Sequence, residues 1–93
     1  MKLGLVLVLF LPVTVFANTA VPLLASSCAA CHGTQGHSQS QFMPGLAGLE
    51  IDYIVRQMRA FKQGDINVTV MHQHASGLSD VEIRLLADYF SRQ

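Results

Sequence analysis

Two cysteines separated by two alanines and followed at once by a histidine, Cys28-Ala29-Ala30-Cys31-His32, constrain this 93-residue chain more than any other feature. They are its only cysteines. The loop between them is too short to staple a fold as a disulfide, and two thiols are too few for a disulfide framework. On a helix, positions three apart project to the same side, so both sulfurs face one way, with the next residue's imidazole beside them. Such a run asks for a bound group rather than a crosslink. The length agrees: 93 residues exclude two-domain enzymes and long solenoids. A domain this small offsets roughly 1.5 kcal/mol of ordering entropy per residue with little apolar burial, so it often carries a staple.

Residues 1–17 read as a secretory signal peptide. Lys2 supplies a positive start, Leu3 to Phe16 is almost wholly apolar, and Val15 and Ala17 set small side chains at the minus-three and minus-one positions of a cleavage site. Cleavage is expected after Ala17, leaving residues 18–93 as a single exported, periplasmic domain. A membrane anchor is the rival reading, but the apolar stretch is interrupted by Pro12 and falls short of the roughly 20 residues that span a bilayer. No membrane span is expected after cleavage. The expected mature chain sets Arg56, Arg59, Lys62, Arg84 and Arg92 against Glu50, Asp52, Asp65, Asp80, Glu82 and Asp88, and is about neutral. With no run of Lys or Arg it lacks the basic stripe that displaces counterions from phosphate, which argues against a nucleic-acid partner.

The pattern predicts an all-α fold of three main helices separated by two loops. The first runs from Pro22 to about Cys31 and stops at Gly33. From Gly33 to Gly48 the chain is rich in Gly, Ser, Gln and Thr with Pro44, a loop that wraps something rather than packing on itself. The second helix, Glu50 to Gln63, sets Tyr53, Ile54, Gln57, Met58 and Phe61 on one face and ends before Gly64. Asp65 to Gly77 reads as a second loop, containing Met71, His72 and His74. Ser79-Asp80-Val81-Glu82 is a capping box opening the third helix, whose stripe is Ile83, Leu86 and Phe90, flanked by Val81, Leu85 and Tyr89.

The pentapeptide matches covalent attachment of one c-type haem. Cys28 and Cys31 are placed to form thioethers with the two vinyl groups on one porphyrin edge, and His32 to fold its imidazole beneath the iron. Two other chemistries compete. A thioredoxin-type pair wants a βα unit with its first thiol at a helix N-terminus, whereas Cys28 sits late in its helix with no strand before it. A zinc site could recruit His72 and His74, but that is not the spacing of a known finger. An exported context favours haem, because c-type attachment takes place after export.

With these residues in view, the chain resembles the class I cytochromes c, small monohaem helical domains with His and Met axial ligands. The resemblance runs from about Leu24 to Phe90. It takes in the attachment run with Gly33, Pro44-Gly45-Leu46-Ala47-Gly48, the Tyr53…Gln57-Met58-x-Ala60-Phe61 helix, a downstream Met, and Gly77-Leu78-Ser79-Asp80 leading into the last helix. Within the family, Phe61-Lys62-x-Gly64-Asp65-Ile66 with Thr69-Val70-Met71 and Ala75-x-Gly77 looks like the cytochrome subunit of flavocytochrome c sulfide dehydrogenase. The resemblance implies an electron-transfer protein rather than an enzyme in itself, with a sulfide-oxidising flavoprotein subunit or another redox protein as partner. A stand-alone carrier between respiratory or photosynthetic complexes is the alternative. Related carriers often hold an arginine where Ile66 stands, available to a haem propionate.

The resemblance implies Met71 as the sixth ligand, so the iron-binding pair would be His32 and Met71. His72 and His74 stand in the same segment as rivals, and either would give a lower-potential centre than Met. Met58 reads as core and Met43 as cover over the haem-wrapping loop. In the family a backbone carbonyl near the loop proline accepts the free N–H of the proximal histidine, which gives the segment at Pro44 an orienting role. Tyr53 and Asn67 are candidates for polar contact with a propionate or the Met sulfur. Arg56, Arg59 and Lys62 form a basic stripe on the second helix, read as a solvated face with partner docking as the sharper alternative.

Overall fold

Helix α1 spans Ala20–His32. Pro22 falls in its first turn, where no intrahelical N–H is needed, and Gly33, at φ 83°, ends it. The computed structural model describes residues 1–12, 20–67 and 69–93. The expected cleavage site at Val15-Phe16-Ala17 lies outside them. Residues 1–12 carry no regular secondary structure and are exposed.

After a short 3-10 turn at Thr34–Gly36, residues 37–50 run without regular secondary structure, as the Gly- and Ser-rich composition predicts. Helix α2 covers Ile51–Gln63. Its end is a Schellman closure: Gly64, left-handed at φ 78°, ψ 16°, donates its N–H to Phe61 O at 3.2 Å, and Asp65 N–H bonds to Ala60 O at 3.0 Å.

Helix α3, Thr69–Ser76, was not anticipated; the segment reads as loop in the sequence. Ala75, its one buried position among the described residues, carries a side chain too small to create an apolar stripe, and an eight-residue helix is marginal in isolation. Packing on α2 is what makes it helical. The protein therefore has four α-helices among the described residues rather than three, and no strand.

Helix α4, Asp80–Ser91, begins with the expected capping box. Glu82 N–H donates to Ser79 Oγ at 3.1 Å, and Ser79 N–H donates back to Glu82 Oε1 at 3.0 Å. These contacts, the Ser79 backbone N–H first and its side chain second, hold the Glu82 carboxyl below the ordinary Glu range. Its folded value lies below its unfolded one, so the stability it contributes is complete above the ordinary Glu range and is lost as pH falls through the folded value. Ser79→Ala is expected to cost about 1 kcal/mol at neutral pH, and Glu82→Gln to flatten the acid limb of stability against pH. Urea unfolding across pH 3 to 7 checks both.

The core joins α1, α2 and α4. Ala25, Ile54, Val55, Ile83, Leu86, Ala87 and Phe90 form its buried cluster. The α4 stripe is as the periodicity predicts. On α2 the buried pair is Ile54 and Val55, while Tyr53 is exposed and Met58 packs on the core half-buried. Tyr89 and Phe90 meet edge to face at 5.1 Å.

Candidate haem site

The attachment run occupies the last turn of α1. Cys28 is half-buried and Cys31 exposed, both as free thiols. Burial pushes the Cys28 thiol up from its ordinary value, opposed by a hydrogen bond with Ser27. That is the reverse of the depressed thiol a dithiol oxidoreductase needs. The location at the C-terminal end of a helix removes the dipole's help as well.

His32 is buried, with 8% of its surface exposed. Its Nδ1 lies 2.7 Å from Pro44 O. A carbonyl only accepts, so Nδ1 carries the proton and Nε2 keeps the lone pair that a metal requires. The segment bearing Pro44 is itself held in place. Leu46 and Ala47 donate their N–H groups to Gly36 O at 2.8 and 3.2 Å, Gly48 N–H reaches Phe90 O at 2.9 Å, and Ser38 Oγ–H donates to Met43 O at 2.7 Å. Thus the 3-10 turn and the end of α4 together fix the carbonyl that orients His32.

Met71 is half-buried on α3. α3 packs on α2, whereas α1 packs on α4, so His32 and Met71 are carried by helices joined through the α2–α4 pair. His72 is turned to the end of α2, where its Nδ1 lies 2.7 Å from Phe61 O. His74 and His37 are exposed. Among the described residues no three His, Cys, Asp or Glu side chains gather as a metal site, and the residues a zinc reading would combine are not brought together. Tyr53 and Asn67 are both exposed.

Two residues of the basic stripe have partners within the molecule. Lys62 Nζ donates to Leu78 O, and Arg59 Nε stands 3.7 Å from Asp80 Oδ1, so both tie α2 to the start of α4. Arg56 is the most open of the three, exposed where Arg59 and Lys62 are half-buried.

The donor set and its surroundings fit a covalently held haem. Two thiols stand one turn apart beside a buried imidazole with its tautomer fixed. Cys28 itself packs against the core cluster while staying partly open, as do Leu46, Leu49 and Met58. Sequence reasoning named His72 only as a rival ligand, not as a partner of Phe61 O, and gave Gly36 no part. The hydrogen bond of the first has no local signature, and the second is one glycine among several in a loop.

Comparison with known proteins identifies the family. The cytochrome c family profile matches residues 17–92. The cytochrome subunit of sulfide dehydrogenase from Chlorobaculum tepidum is 44% identical over 68 residues, covering 73% of this chain and 61% of that protein. The thiosulfate dehydrogenase electron acceptor of Thiomonas intermedia is 40% identical over 74 residues, 78% of this chain but 34% of that protein. Cytochrome c-554(548) of Halomonas halodenitrificans is 36% identical over 70 residues, 72% of this chain and 84% of that protein. The chain thus spans about three-fifths of the first relative and a third of the second. A chain with four α-helices among its described residues, a Cys-x-x-Cys-His run at the end of α1, an imidazole oriented by a loop carbonyl, and this profile match is a class I c-type cytochrome, an electron-transfer member of the cytochrome c family.

Proposed function

We propose that this cytochrome is an exported carrier of one covalent haem, bound through Cys28 and Cys31, with His32 and Met71 as axial ligands. It accepts electrons from a dehydrogenase that oxidises a reduced sulfur compound, with a sulfide-oxidising flavoprotein subunit as the preferred donor. When bound, the haem supplies a one-electron Fe(III)/Fe(II) couple. The residues supply the rest. Pro44 O holds the Nδ1 proton of His32, which orients the ring and strengthens Nε2 as a donor. The thioether of Met71 suits iron in both oxidation states and raises the potential relative to a second imidazole. With both axial positions filled by protein, no substrate is expected to bind at iron.

The observation that carries the reading is the His32 to Pro44 hydrogen bond, because it gives the imidazole the tautomer an iron ligand needs. The test is an optical spectrum of the mature protein in both redox states. A Soret band with the weak long-wavelength sulfur-to-iron band in the oxidised form supports haem and a Met ligand. Met71→Ala is expected to abolish that band, lower the potential and open the iron to added ligands. A five-coordinate wild-type spectrum would sink the carrier reading in favour of gas binding or peroxidase-like chemistry.

The names of two relatives, a sulfide dehydrogenase subunit and a thiosulfate dehydrogenase electron acceptor, support a donor that oxidises reduced sulfur. A stand-alone carrier is favoured by a different observation: the chain covers 84% of cytochrome c-554(548). Purification from the native periplasm separates the two, since a stoichiometric flavoprotein partner is expected under the first and a lone cytochrome under the second.

A further inference from the structure

Met71 sits on α3, the shortest α-helix among the described residues, which packs on α2. On a helix Ala75 lies four residues beyond Met71 and three beyond His72, so it stands between them on the surface. Ala75 is completely buried, which makes it the line along which α3 lies on its neighbour. His72 and Met71, about 100° apart around the axis, therefore flank that line on opposite sides.

His72 is bound to the rest of the fold in a specific way. Its Nδ1–H donates to Phe61 O at 2.7 Å. Phe61 is in the last turn of α2, where carbonyls lack intrahelical partners, and its oxygen otherwise receives only the Gly64 N–H of the closing turn, at 3.2 Å. A Cβ built on Gly64 would stand 4.0 Å from His72 Cε1, so the ring lies over that closing turn. Ala75 lacks the bulk to prevent α3 from rolling about its own axis; a directional hydrogen bond from the neighbouring flank prevents it.

We propose that His72 is a positioning residue for the sixth ligand: by bonding Phe61 O it fixes the roll of α3 and so holds the Met71 thioether toward the iron. This rests on the reading of Met71 as ligand. The same bond occupies His72 at the end of α2, which keeps a competing imidazole away from the metal. It also fixes His72 as the Nδ1–H tautomer.

Holoproteins carrying His72→Ala, His72→Asn and Met71→Ala, compared with wild type, test this. Asn returns an amide N–H close to where Nδ1–H stands and so keeps a donor for Phe61 O. The readouts are the dissociation constant of added imidazole at the ferric haem, which must displace the native ligand, and the intensity of the sulfur-to-iron band. His72→Ala is expected to bind imidazole about tenfold more tightly with a weakened band, and His72→Asn to stay within about threefold of wild type. Unchanged affinity and a full band in His72→Ala overturn the inference while leaving Met71 as ligand; a band that persists in Met71→Ala overturns the ligand reading instead. Should His72→Ala fail to accumulate, nitrogen NMR of the reduced wild-type protein decides. A protected Nδ1–H on His72 supports the bond, and the Nε2–H tautomer overturns it.

Discussion

A Cys28→Ala/Cys31→Ala chain is expected to emerge from export with no covalently added haem and to show no cooperative unfolding transition. The protein's own interior is thin. The buried hydrophobic residues among those described are Ala25, Ile54, Val55, Ala75, Ile83, Leu86, Ala87 and Phe90, and three of these are alanines. Helices of 13, 13, 8 and 12 residues are at or below the length at which an isolated helix holds in water. A group that binds the folded state alone contributes its binding free energy to folding, and a covalent tether makes that contribution independent of haem concentration. Removing it is expected to take away most of the ~5–15 kcal/mol that separates a native domain from its unfolded ensemble. Mass spectrometry of the purified chain reports the attachment, and thermal melting followed by far-ultraviolet circular dichroism reports cooperativity. A sharp melt in chains of unmodified mass would show that the helices support themselves.

The features most legible in the sequence are the local ones. The helical setting of the Cys28-Ala29-Ala30-Cys31-His32 run, the capping box at Ser79 and the Ile83-Leu86-Phe90 stripe are each written locally, in spacings fixed by helical geometry, and each is found where the spacing puts it. Helix α3 is not written this way. Its contact with α2 is made by Ala75 and by the His72 imidazole, neither of which registers as an apolar repeat. The partners of the basic stripe on α2 are hidden for a related reason: spacing places Arg59 and Lys62 on one flank, but only the fold brings Asp80 and Leu78 O within their reach. The orienting role of the loop at Pro44 came from resemblance, and the structure gives it a physical basis in the 2.7 Å bond to His32. What pins that loop, however, is a close approach of backbones that no residue pattern announces.

That approach underlies the second large effect: Gly36→Ala is expected to destabilise the holoprotein by about 3 kcal/mol. Gly36 is buried at φ 82°, a left-handed conformation that costs a residue with a Cβ roughly 1–2 kcal/mol. A Cβ there would lie 2.8 Å from Ala47 N, 2.9 Å from Leu46 Cβ and 2.9 Å from Phe90 Cδ1. Two of those three atoms belong to the loop whose N–H groups bond Gly36 O, and the third to a core ring of α4, so relief requires moving either the Pro44 loop or the core. Overpacking of this kind adds about 1–3 kcal/mol. For a domain of this size the sum corresponds to a fall of roughly 12–24 °C in Tm. Gly77→Ala is the control: its added Cβ meets nothing within 4 Å and its φ is not positive, so its effect is expected to stay within about 0.5 kcal/mol or to be slightly stabilising. Since the displaced loop also carries the carbonyl that orients His32, the Gly36 variant should also bind added imidazole more readily than the Gly77 variant. Equal melting temperatures for the two would mean that the loop gives way without strain and that the grip on His32 does not depend on Gly36.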